Sequence, residues 1–243
     1  MKTSAQKKLL ITLCALLGVV VIVAASVAGT VAYLTSSAAV SNVFTIGKVG
    51  ITLTESKVNS DGTLVDGGAT QVDANTYHLV NNKTYTKDPR IIVNSESENS
   101  YLFILVRNDI EKIEDTTDLD ARPTIAKQLA KNGWAKYTKA STGWVYVYIG
   151  EDISANIAAE NAKTEGSAFE YEAEALAANV GPGTYKLFEE FSIDEKSALD
   201  TYGAAKITLT AVAIQKAGFE TDLEPAWQAV VETYPYIHTG NTP

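Results

Sequence analysis

The sequence predicts an all-β domain with short helical additions, set behind an N-terminal hydrophobic helix, and three observations carry that expectation. Residues 48–55 alternate: Val49, Ile51 and Leu53 fall on one side and Gly50, Thr52 and Thr54 on the other, the period of a half-buried strand. The run Tyr101-Leu102-Phe103-Ile104-Leu105-Val106 is apolar on both faces, which suits a central strand covered from both sides. Turn chemistry separates the strands, with Asn59-Ser60-Asp61-Gly62 and Asp66-Gly67-Gly68 as tight turns.

The chain begins with Lys2, Lys7 and Lys8, followed by no charged side chain until Lys48. Residues 9–28 are nearly all apolar, giving the basic, apolar and small-residue order of a secretory signal. The block is also long enough to cross a bilayer, which takes about 20 residues, so cleavage and retention as a membrane anchor both stand. Two small-x-small sites favour cleavage, Ser26-Val27-Ala28 and Thr30-Val31-Ala32, the second directly before Tyr33. Signal peptidase clefts are shallow, and Gly29, Thr30 and Val31 loosen a helix at that point. Cys14 lacks the small pair that precedes a lipid-modified cysteine and reads as apolar filler.

Cys14 and Met1 are the only cysteine and methionine, so a product starting at Tyr33 has neither a disulfide nor an oxidisable sulfur. Without the three leader lysines, 17 basic residues face 29 acidic ones, a net charge of about −12. Such a chain is a poor partner for nucleic acid, itself a polyanion. The roughly 210 residues left suffice for one domain with a real core.

Residues 33–47 are small and polar, with Val40, Val43, Phe44 and Ile46 as isolated apolar points; such an arm is held only if it joins a sheet. Residues 63–65 are a short strand at best. Asn59, Asp61 and Asp66 are spaced like cation ligands but lack the closing glutamate of a calcium loop, so turn chemistry is preferred. Pro89, having no N–H, should open the strand 90–94, and residues 95–100 form a polar turn. Residues 109–120 carry six acids and read as a solvated loop. Pro123 to Gly133 has the punctuation of a helix. Residues 144–149 form a strand that places Trp144, Tyr146 and Tyr148 on one face. This face is either a sugar-binding platform or, preferred, a buried or cross-strand ladder. Residues 151–179, rich in Ala and Glu, read as a helical surface insertion ended by Gly181-Pro182-Gly183. Strands over 184–193 and 205–215 and a helix over 221–231, with Leu223 and Trp227 on one side, complete the domain. The tail 233–243 has no sorting motif for wall attachment and no second hydrophobic segment.

The strings Gly29-Thr30-Val31-Ala32-Tyr33-Leu34-Thr35, Val40-Ser41-Asn42-Val43-Phe44-Thr45-Ile46-Gly47-Lys48-Val49 and Ile51-Thr52-Leu53-Thr54-Glu55 resemble the start of TasA/camelysin-type proteins. So do the Lys87-Asp88-Pro89 lead, its strand and the hydrophobic strand after Tyr101. Leu187-Phe188, residues 213–219 and Ala226-Trp227 are similar to the C-terminal half of clostridial TasA-like proteins, whereas residues 109–183 match least. The resemblance implies export from a Gram-positive bacterium with a SipW-type signal peptide, cut between Ala32 and Tyr33. It implies a jelly-roll fold and assembly into biofilm-matrix fibres, in which the freed arm joins the sheet of the next subunit.

These readings give a signal over 1–32, a donor-strand arm over 33–47, a jelly-roll domain over 48–232 with a variable insertion around 109–183, and a tail over 233–243. The expected function is that of a secreted extracellular-matrix or cell-surface fibre subunit, membrane-anchored if the signal stays. Val40, Val43, Phe44 and Ile46 would fill a neighbour's pockets. Expected partners are further copies joined head to tail, the SipW-type signal peptidase and, as a further candidate, a minor anchoring subunit; no cofactor is expected. One alternative is that the arm folds back on its own domain, leaving a monomeric glycan- or protein-binding module. A camelysin-type metallopeptidase is disfavoured, because His78 and His238 are far apart and neither has a second histidine nearby.

Overall fold

The computed structural model describes residues 35–39, 42–43, 45–46, 49–150, 179–202, 205–219, 223–235 and 237. In chain order the strands are β1 (Thr35–Ala39), β2 (Asn42–Val43), β3 (Thr45–Ile46), β4 (Val49–Ser56), β5 (Gln71–Val72), β6 (Thr84–Thr86), β7 (Arg90–Val93), β8 (Ser100–Asn108), β9 (Trp134–Lys139), β10 (Trp144–Tyr148), β11 (Gly183–Lys186), β12 (Glu190–Ser192) and β13 (Ile207–Gln215). The helices are α1 (Ile125–Lys131) and α2 (Leu223–Thr233). The chain is thus all-β with short helices, as predicted. Among the described residues no helix is long and apolar enough to cross a membrane.

The strands form a six-stranded sheet, β2-β1-β13-β8-β10-β9, a five-stranded sheet, β11-β7-β4-β3 with β5 also on β4, and a β12-β6 pair. The pairings are antiparallel. The two larger sheets share one core. Val49, Ile51 and Leu53 of β4, the side expected from their alternation, meet Leu102, Ile104 and Val106 of β8 and Leu209, Ala211 and Ala213 of β13. On the other face of the six-stranded sheet, Tyr101, Phe103, Leu105, Val212 and Ile214 pack beneath Leu223, Ala226, Trp227 and Val230 of α2. The two-sided apolar run at 101–106 is explained by this: β8 lies between a sheet and a helix. Trp227 fixes the helix, its ring 5.3 Å from that of Phe103 and 5.7 Å from that of Tyr137. Burying an aromatic side chain of this kind contributes about 1.5–3 kcal/mol.

Several expectations change. The single strand over 184–193 is two: β11 pairs with β7, and β12 leaves it for β6. Leu187 and Phe188, both fully buried, turn inward between them. Residues 63–65 form no strand, only an isolated bridge from Leu64 to Val58. β9 answers to no expected element; it hairpins with β10 through Ala140–Gly143. The signal segment and most of the 151–179 insertion lie outside the described residues.

Candidate functional site

The arm contributes backbone to both large sheets. β1 pairs antiparallel with β13 over five residues, from Thr35 opposite Ile214 to Ala39 opposite Thr210, and turns back into β2. β3 then pairs with β4, Thr45 opposite Gly50 and Ile46 opposite Val49. The arm therefore lines the β13 edge of one sheet and the β4 edge of the other, within its own chain. Of the proposed donor residues, Val43 lies in β2 and Ile46 in β3, whereas Val40 and Phe44 lie outside the described residues. The cleavage residues Thr30, Ala32 and Tyr33 lie outside them too, as do Cys14 and His238.

The row Trp144, Tyr146 and Tyr148 sits on the face toward the shared core. Tyr148 packs against Trp134 of the neighbouring strand at 5.3 Å and against Tyr185 at 4.9 Å, so that end is a cross-strand aromatic cluster and no open platform. The Trp144 end differs. Trp144 and Tyr146 line a cleft of about 490 Å³ between the β9–β10 hairpin, the end of β8 and the approach to α1. Gly143 lets the hairpin close on β8: a Cβ there would lie 2.2 Å from the carbonyl oxygen of Val106. Lys136 Nζ lies 4.6 Å from the Trp144 ring and Lys139 Nζ 5.8 Å from it. Burial depresses the Lys136 ammonium below the usual lysine range.

The acidic segment behind this cleft is not wholly solvated. Glu111, Asp118 and Asp120 are exposed, but Glu114 and Asp115 are buried. Glu114 Oε1 accepts from the Ile125 N–H at 2.9 Å and Oε2 from Asn108 Nδ2 at 3.1 Å, tying the start of α1 to the end of β8. Burial pushes its carboxyl up to about 7, against the pull of these two hydrogen bonds and with a small push from the Glu111 charge. Asp115 is held below the usual carboxylate range, chiefly by the Thr117 hydroxyl and N–H and then by Arg122. Burial also raises the Tyr146 hydroxyl well above its ordinary value, helped by the charges of Glu111 and Glu114.

A larger cavity, about 750 Å³, lies between residues 74–79 and the start of β13. It is lined by Tyr77, Leu79, Phe191 and Ile207, and its Lys87 is committed to a buried ion pair with Glu55. His78 is exposed there and lies in an irregular segment between β5 and β6. Asn59, Asp61 and Asp66 serve turns: Asp61 accepts from the Thr63 N–H at 3.0 Å, and Gly62, at φ +83°, donates to the Asn59 carbonyl at 2.9 Å. Among the described residues no group of three or more His, Cys, Asp or Glu side chains is placed to hold a metal ion. Compared with protein-family models, curated proteins and solved structures, the chain matches none.

Proposed function

We propose that this chain is a secreted structural protein with a jelly-roll β-sandwich domain, a subunit of extracellular-matrix or surface fibres that assemble by donation of the N-terminal strand. The supporting observation is the edge-on pairing of β1 with β13: the arm contributes a five-residue ladder to a strand that would otherwise be an open edge. Backbone hydrogen bonds do not depend on which copy supplies the strand. A nine-residue strand with six consecutive buried residues, left uncovered, is a ready template for another chain. Signal cleavage before Tyr33 would free the arm to exchange. The arm and the edge that receives it are different surfaces, so exchange is head to tail and runs on as a filament. The role is non-enzymatic, with SipW-type processing before assembly and localisation at the cell surface or in the matrix.

The register gives the test. Ala39→Cys with Thr210→Cys places one cysteine on each side of the ladder in a secreted chain that has no other. Fibres formed by the variant, checked by electron microscopy and then oxidised, should run as a covalent ladder of multimers on a non-reducing gel. Fibres whose bonds are all within single chains, or fibres that form equally well from protein lacking residues 33–47, would refute the proposal. N-terminal sequencing of the secreted protein should begin at Tyr33.

A further inference from the structure

We infer that the cleft between the β9–β10 hairpin and the start of α1 is a binding site for a neutral saccharide, sized for one or two pyranose rings. Three features of the cleft lead there, and none depends on strand exchange. First, Tyr146 is only 5% exposed overall, yet its hydroxyl opens into the cleft and meets no hydrogen-bond partner among the described residues. A hydroxyl at the floor of a cleft whose bonding capacity the protein leaves unused can exchange water for a ligand hydroxyl. Second, the half-buried indole of Trp144 forms one wall, giving an apolar surface beside polar groups, the usual composition of a small-molecule site. Third, the rim carries polar side chains not engaged with one another: Glu111, Thr116 and Thr142.

Charge selects the ligand class. Glu111 and the buried Glu114 disfavour an anion, while Lys139 on the rim and Lys136 over the indole disfavour an amine or guanidine. A metal ion lacks a set of three ligands among the described residues. A neutral ring bearing several hydroxyls meets none of these penalties; it finds donors in Thr116 and Thr142 and acceptors in Glu111 and Tyr146. The volume of about 490 Å³ accommodates a mono- or disaccharide and excludes a folded partner. The site thus differs from the flat three-ring platform considered from the sequence, because Tyr148 at the far end is occupied by Trp134 and Tyr185.

The test uses the intact secreted protein with cellobiose, maltose and N,N′-diacetylchitobiose as probes and galacturonic acid as the anionic control, read by saturation-transfer NMR and tryptophan fluorescence. At least one neutral disaccharide should bind in the millimolar range or tighter and perturb Trp144. Tyr146→Phe keeps the buried ring and removes only the hydroxyl; it should weaken binding about tenfold, the value of one hydrogen bond, with little change in melting temperature. Glu111→Gln, on the exposed rim, should retain the fold and also weaken binding. Three results would overturn the inference: no neutral probe binds, only galacturonic acid binds, or binding is the same in wild type and both variants. The assay is indifferent to fibre formation, so its failure leaves the assembly reading standing, and the reverse holds too.

Discussion

Glu114→Gln should abolish the pH dependence of stability contributed by one buried carboxyl. Glu114 is 6% exposed, and burial raises its pKa from an ordinary 4.5 to about 7 in the folded chain. The folded state therefore holds this proton more tightly than the unfolded state. Stability falls as pH rises through the window between those two values and stays low above it. The shift makes wild type lose about 2–3 kcal/mol from this group between pH 5 and pH 8. The glutamine variant has no charge to bury. Its carbonyl can accept from the Ile125 N–H, but its amide would face the Nδ2 donor of Asn108, losing one hydrogen bond worth about 1 kcal/mol. The variant should then lie about 1 kcal/mol below wild type near pH 5 and exceed it by about 1–2 kcal/mol at pH 8. Urea unfolding followed by tryptophan fluorescence at both pH values measures this, and other titrating groups cancel in the difference. If the gap between the two proteins is the same at pH 5 and pH 8, Glu114 does not titrate with the raised pKa and the reasoning fails.

Gly143→Ala should cost about 1–3 kcal/mol by thermal denaturation, because the added Cβ meets the Val106 carbonyl, which belongs to a central strand and cannot swing aside. Lys87→Met should cost about 3–5 kcal/mol in urea, since it leaves Glu55 buried with Asn75 as its remaining side-chain partner. Adding Glu55→Leu to that variant should recover most of the loss, as an uncharged pair has no desolvation penalty. Trp227→Ala should cost about 3–5 kcal/mol and raise hydrogen exchange in α2 before the sheets, since that ring anchors the helix over Phe103.

The sequence was most legible where one residue type acts alone and least where a distant partner decides. β4, β8 and β13 could be read because alternation and two-sided apolarity are properties of the strand itself. β9 was missed because Lys136 and Lys139 dilute a pattern whose apolar members, Trp134 on one face and Ala135 and Tyr137 on the other, join different cores. The break between β11 and β12 follows from which strand lies opposite, Arg90–Val93 or Thr84–Thr86, and nothing in residues 184–193 encodes it. Glu114 sits in an acidic run that reads as wet. Its burial depends on Asn108 and Ile125, which the fold brings to its two oxygens. The cleft was half-visible: the ring spacing placed Trp144 and Tyr146 together, but only the hairpin closed by Gly143 shows which end opens.

Pairing of the arm with its own β13 bears on how a fibre would start. β1 is joined to β13 through a five-residue backbone ladder, which a second copy reproduces without new chemistry. Exchange between copies then gains little enthalpy and is governed by concentration. A tethered arm competes for its own edge at an effective concentration on the order of millimolar, which dilute neighbours cannot match. Dilute protein should therefore remain monomeric with the arm in place, while crowding, or delivery of arms before they have settled on their own domain, should favour filaments. Light scattering on a dilution series makes this measurable: fibres seeded at high concentration should persist on dilution longer than new ones take to form, because release needs the five-residue ladder to open. Fibre yield independent of protein concentration would show that the arm does not exchange by this competition.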